Sequence, residues 1–358
     1  MWEIQHVGIQ RDAYLSNRTI QSQLLRHFVL DGISEACIAA LLCVLTLFGR
    51  HVPLFADPPN QQRSYSEIAR FHFIKPLTAV IFLDEPDQIV SSCADGIIRI
   101  SNIKNGKEIK RVRTQENEKP MSLAYSKSTK ALLIGTMDSV ESRDSSDLKR
   151  LWRTNPDDAS TFGDIALSPD GKSMAVPRYE EEILLLEAGS GRAITRLKRP
   201  NVRVRMCRFS PDGNSLLATY SDSRLVVWDI AKASSLLVIE GHAGKLCCGC
   251  FMLKGKAIAA VSEDKIIRVW ESEKGDLIHE FRGHQGMPTL VEPLDGDNIL
   301  TADTDGTVIQ WDIVKKIMVR KIKCSNKQIL GLAVSEDKKS LAVACLSGDL
   351  IVFDLSTR

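Results

Sequence analysis

The sequence carries almost no net charge: 47 Lys and Arg stand against 45 Asp and Glu. That balance excludes bulk attraction to nucleic acid or to an anionic membrane as the basis of function, because proteins that work this way concentrate a positive excess. Aromatic residues are scarce, at 6%, and none interleaves with the most basic stretch, so single-stranded nucleic acid finds no stacking platform. Paired CxxC motifs are missing, and the nine cysteines follow neither zinc-site spacing nor a small disulfide framework. They read as small buried hydrophobes. No Lys-Ser or Lys-Thr follows the glycine-rich Ala188-Gly-Ser-Gly-Arg192, which reads as a hairpin turn and not as a phosphate loop.

Long apolar runs are also lacking. The single strongly apolar stretch, Ala36 to Phe48 with Cys37 and Cys43 inside it, is thirteen residues long. A spanning helix needs roughly 18 to 20 apolar residues and a signal-peptide core about 7 to 15. Length therefore favours an export signal over residues 1–56, cleaved near Ala56, although Glu3, Asp12, Asp31 and Glu35 are unusual ahead of such a core. Two other readings stay open: a helix packed on the rest of the protein in a cytoplasmic chain, and an uncleaved membrane anchor over residues 36–55. Asp57 to Tyr65 is polar and contains prolines, as a linker does.

From Ser66 a pattern returns: an apolar strand, a Ser-Pro-Asp-Gly-like turn, a second strand, a turn with Asp, and a third strand closed by Trp-Asp or a degenerate pair. The closing positions are 101, 143, 186, 228, 270, 311 and 353, with spacings of 42, 43, 42, 42, 41 and 42. A period of about 40 to 45 residues built from short strands is that of a propeller blade, because one blade buries its two faces only between neighbours. Seven units predict an all-β fold: a seven-bladed β-propeller of four-stranded antiparallel blades over residues 66–358, closed on itself and monomeric. The last unit ends just after its third strand, whereas Ser66-Glu-Ile-Ala-Arg-Phe71 precedes the first and looks like an outer strand. It is expected to complete the last blade and remove the open edge.

Trp228-Asp229, Trp311-Asp312, Gly241-His242 and Gly283-His284, recurring in phase, resemble the tryptophan-aspartate (WD) repeat family, a likeness that covers about four-fifths of the chain. In that family a blade often holds a hydrogen-bonded set of His from the Gly-His loop, Ser or Thr on the second strand, Asp in the next turn and Trp on the third strand. The resemblance assigns all four in the sixth blade to His284, Thr301, Asp305 and Trp311. The fifth keeps His242, Asp264 and Trp270 but has Ala260 in the hydroxyl position; the fourth keeps Asp222 and Trp228, and the first Ser91 and Asp95. A His-Thr-Asp set can also suggest a hydrolase. Catalysis requires an exposed, activated nucleophile and an oxyanion pocket, and no nucleophile elbow is present, so the set reads as structural.

Cys247-Cys248-Gly249-Cys250 falls on the innermost strand of the fifth blade, where alternation puts Cys248 and Cys250 on one face and Cys247 on the other. Packing explains it better than a metal. The acidic Glu180, Glu181 and Glu182 read as a solvated turn. Seven basic residues, Arg192, Arg196, Lys198, Arg199, Arg203, Arg205 and Arg208, follow one another without an acid. The resemblance places Arg203 and Arg205 on the top face where partners of WD propellers dock, with Arg178, Tyr179, Lys245, Glu263, Met287, Thr289 and Gln328 completing a ring. The expected function is a non-catalytic scaffold that binds a protein or an acidic peptide, without cofactor, metal or nucleic acid. The alternative is a small-ligand or enzymatic propeller using the central channel. It is weakened by there being only four histidines after residue 65: His72, His242, His279 and His284.

Overall fold

The computed structural model describes residues 65–356 except 86, 116–117, 155–163 and 179–180. The expectations for residues 1–64, signal, anchor and most of the linker, lie outside the described residues. Among the described residues no helix is long and apolar enough to cross a membrane.

The strands assemble into seven four-stranded antiparallel sheets, arranged as a seven-bladed β-propeller. Position within a blade dictates composition. Second and third strands are covered on both faces by adjacent blades, so they are continuously buried, as in Ala257–Ser262 and Ile267–Glu271 of blade five. Outer strands meet solvent and alternate or are polar, as in Glu108–Arg113 of blade one. Seven apolar clusters are found among the described residues, one at each blade junction; Ile183, Leu185, Leu216 and Trp228, for example, lock blade three to blade four. Burial at about 25 cal/mol per Å² of apolar surface therefore stabilises blades only through their neighbours.

Ser66–His72 pairs antiparallel with Asp349–Asp354, from Ser66 opposite Asp354 to His72 opposite Asp349. The segment ahead of blade one thus supplies the outer strand of blade seven. His72 Nδ1 lies 2.8 Å from Asp349 Oδ1, and the Phe73 N–H donates to Gly348 O at 2.8 Å. Gly348 has φ +89°, and a Cβ there would run into the Phe73 carbonyl, so only glycine allows this approach. Tyr65, at the end of the expected linker, is buried, donates to Gln310 Oε1 at 2.5 Å, and has the Arg320 guanidinium 4.6 Å from its ring centroid.

Six innermost strands share one irregularity. A β-bulge interrupts the register between Leu77/Ala79, Pro120/Ser122, Val204/Met206, Leu246/Cys248, Pro288/Leu290 and Ile329/Gly331. A bulge re-aims the extra side chain. Here the extra residues are Thr78, Met121, Arg205, Cys247, Thr289 and Leu330, and all six line a central cavity of about 970 Å³. Blade three differs, its innermost strand being only Ala166–Leu167.

Candidate functional site: the channel mouth and its supporting networks

The hydrogen-bonded set of blade six forms with one correction. The Trp311 N–H donates to Thr301 Oγ1 (2.8 Å), Thr301 Oγ1 meets His284 Nε2 (2.6 Å), and His284 Nδ1 meets Asp303 Oδ2 (2.7 Å). One tautomer satisfies the chain: Nδ1–H donates to Asp303 and Nε2 accepts from the Thr301 hydroxyl. The acid is therefore Asp303, not Asp305. Asp303 shares a strand face with Thr301 and is 1% exposed, whereas Asp305 sits in the exposed turn. Burial by itself raises the Asp303 carboxyl, but the His284 contact and the backbone N–H groups of Thr307 and Asp305 outweigh it and hold it below the ordinary range. The side-chain polar groups of the set are buried and occupied by one another or by backbone groups, which leaves no exposed nucleophile in it.

Blade five shows what the missing hydroxyl does. Arg268 Nη1 donates to His242 Nδ1 at 2.8 Å and to Asp264 Oδ2 at 2.6 Å, while His242 and Asp264 stand 4.0 Å apart. With Nδ1 accepting, the neutral ring carries its proton on Nε2, and that buried nitrogen has no partner because Ala260 offers none. Burial, then the Arg268 charge, push the His242 pKa down to about 4.

In blade four, Asp222 pairs with Arg199 (2.8 Å) and Arg224 (3.4 Å), and the Trp228 N–H donates to Tyr220 Oη at 3.0 Å. Ala218 holds the hydroxyl position, and Tyr220, two residues along the same strand face, substitutes for it. In blade one, Asp95 pairs with Arg99 at 2.9 Å, and the buried Ser91 hydroxyl has no partner.

The expected top-face ring is placed in part. Arg205 and Thr289 stand at the bulge and line the channel; Arg205 Nη1 donates to Leu246 O at 3.4 Å, and the Thr289 hydroxyl is buried without a partner. Arg203, Lys245 and Glu263 are exposed around the mouth, with Met287 and Gln328 half-buried. Arg178 does not belong to the ring: it is 3% exposed and bonded to Glu182 at 2.6 Å. Tyr179 lies outside the described residues. Sequence reasoning missed Thr78, Met121, Cys247 and Leu330, although the period carried forward from Arg205 leads to Cys247, Thr289 and Leu330.

The basic stretch is largely neutralised by acids from other strands, so it is not a continuous cationic patch. Arg196 and Lys198 pair with Glu182 (3.2 and 3.7 Å), Arg192 with Glu187 (3.7 Å), and Arg199 with Asp222. Glu182 is thus a buried ion-pair hub, not part of a solvated turn, while Glu180 lies outside the described residues. Inside the channel Arg208 bridges Asp164 (2.7 Å) and Glu292 (3.4 Å). Burial raises the Glu292 carboxyl despite Arg208. Cys247, Cys248 and Cys250 all line this cavity, and a bulge at Cys247 interrupts the expected alternation. Burial pushes the Cys247 thiol up to about 11 and Cys248 to about 12, so both stay protonated near neutral pH.

The family model described as WD domain, G-beta repeat matches residues 191–229, 233–271 and 275–312. Each matched unit begins near the outer strand of one blade and ends on the third strand of the next, the same offset by which Ser66–His72 completes blade seven. No curated protein matches the chain. Three WD repeats thus lie within residues 191–312, in a chain folded as a seven-bladed β-propeller.

Proposed function

We propose that the protein is a non-catalytic interaction scaffold that binds a protein or peptide partner at the end of the ring where the innermost strands begin. WD propellers are in general interaction scaffolds. The observation that carries the reading here is the bulge repeated in six of the seven innermost strands, whose extra residue lines the common channel in each of those blades. Exposed Arg203, Arg205 and Lys245 stand there with exposed Glu263 and Asp305, and the three cations favour an acidic partner. The ion pairs within the channel, Asp164 with Arg208 and Arg208 with Glu292, occupy the groups that a channel enzyme would need, which favours binding over catalysis.

Site-specific photo-cross-linking tests this. A photoreactive residue at Arg203 should yield adducts with partner proteins in the native cell, and one at Lys339, in the turn at the other end of the ring, should not. Adducts from Lys339 alone would overturn the assignment. Export or membrane attachment through residues 36–55 is a separate proposal, decided by sequencing the mature N-terminus.

A further inference from the structure

The exposed large apolar side chains of the propeller fall into a pattern. Most belong to outer strands, and Val314 lies in a turn at the far end of the ring. The four at the channel-mouth end are Leu346 (41% exposed), Ile74 (95%), Met121 (41%) and Met137 (47%). All four sit on blades seven, one and two. Among the described residues, blades three to six present no exposed large apolar side chain at this end; their exposed groups there include Arg203, Arg205 and Lys245.

The four form an arc over adjacent blades. Ile74 follows Phe73, whose N–H is bonded to Gly348 O, so it stands beside the turn that carries Leu346. Thr78 donates to Pro120 O at 2.6 Å, which ties blade one to blade two next to Met121. Met121 is both exposed and part of the channel lining, so the arc runs down into the mouth. The charges around it are mostly cationic. Among the described residues Lys75, Lys119 and Lys327 are exposed, Asp95 is paired with Arg99, Glu118 with Arg153 and Asp349 with His72, and the exposed acids include Asp138 and Asp305. Isolated apolar residues on a surface need no explanation, but four gathered at one end of three adjacent blades beside a concave, charged mouth mark a contact site.

We infer that this end of the ring is divided, and that its partner is an amphipathic acidic peptide segment: its Leu-, Met- or Phe-like side chains rest on Ile74, Met121, Met137 and Leu346, and its carboxylates face Arg205 and Lys245. The inference rests on the proposed binding function and specifies its partner. Charge argues against a second copy of the chain, since two such faces would oppose Lys75, Lys119, Arg205 and Lys245 to themselves. Shape argues against a bilayer, which can touch Ile74 but cannot follow Met121 into the mouth.

The test is selection of a displayed library of random peptides against the full chain, followed by affinity measurement of enriched peptides on variants. Enriched sequences should combine several large apolar residues with Asp or Glu. The triple variant Ile74→Ser/Met121→Ser/Leu346→Ser should weaken them about ten-fold or more, and Arg205→Glu/Lys245→Glu should do so independently, at an unchanged melting temperature. Ile74→Ser alone, at a position almost wholly in solvent, should give a smaller loss without risk to folding. Acidic peptides that respond to Arg205→Glu/Lys245→Glu but not to the apolar variants would overturn this inference and leave the scaffold reading standing. Peptides insensitive to all of these variants, or no enrichment, would overturn both. Binding to anionic phosphatidylserine vesicles, or self-association, abolished by the apolar variants would assign the arc to a membrane or to a second copy instead.

Discussion

Blades five and six are neighbours with the same Gly-His loop and the same tryptophan, yet only one closes its hydrogen-bonded set. In blade six Thr301 sits between His284 and Trp311, and Asp303 fixes the ring from the other side. In blade five Ala260 occupies the hydroxyl position, Arg268 takes over Nδ1 of His242, and Nε2 is left buried and unpartnered. Without the hydroxyl the ring is left half-satisfied beside Arg268, and burial together with that charge pushes the His242 pKa down to about 4. Loop geometry survives in both blades because shape is set by packing between blades, and the polar set adds to it.

The scale for this comparison is set by ring closure. Deleting Ser66–Phe71 removes most of the outer strand of blade seven and exposes the edge of Asp349–Asp354. We expect the largest effect of all, a fall in melting temperature of more than about 10 °C; an unchanged value would show that closure does not depend on this strand. Next comes acid. A histidine whose folded pKa lies below its unfolded one binds a proton more readily when unfolded. The associated stability is therefore intact above about pH 6.5 and is lost as pH falls toward 4, by about 3 kcal/mol at most. In urea titrations, His242→Gln should flatten the dependence over that window; an unchanged dependence would contradict it.

Thr301→Val keeps volume but leaves the Trp311 N–H without an acceptor and His284 Nε2 without a donor. It should cost about 2 kcal/mol in denaturant unfolding, making blade six resemble blade five. Conversely, Ala260→Ser should let His242 Nε2–H find an acceptor and gain about 1 kcal/mol. That buried Ser91 stands at the equivalent position of blade one shows that the fold accommodates a hydroxyl there. If Ala260→Ser destabilises while Thr301→Val has no effect, the hydrogen-bond account of both blades fails.

What could be read from the sequence follows from which interactions are periodic. Blade number and the crossed-over outer strand are tied to the 42-residue spacing and were legible, and the roles of His284, Thr301 and Trp311 followed from the resemblance to WD repeats. The acid was misplaced because the motif points to the turn, while the geometry selects the residue two positions from Thr301 on the same strand face. Arg178 and Glu182 were assigned to the surface because neither carries a sign of its partner; only the pairing of Ser173–Arg178 with Glu182–Glu187 brings them together in the interior. The basic stretch looked unopposed because several of the acids that neutralise it, Asp164, Asp222 and Glu292, are distant in sequence. The apolar arc was hidden for a related reason: Ile74, Met121, Met137 and Leu346 occupy three different turn and bulge positions, and no one period connects them.

The most direct test of the central claim, that the protein acts by binding at the channel mouth, is affinity capture from the native cell with the full chain and with Arg203→Glu/Arg205→Glu at matched melting temperature. The account predicts that partners retained by the unmodified protein are lost from the double variant. Retention of the same partners in the same amounts would contradict it.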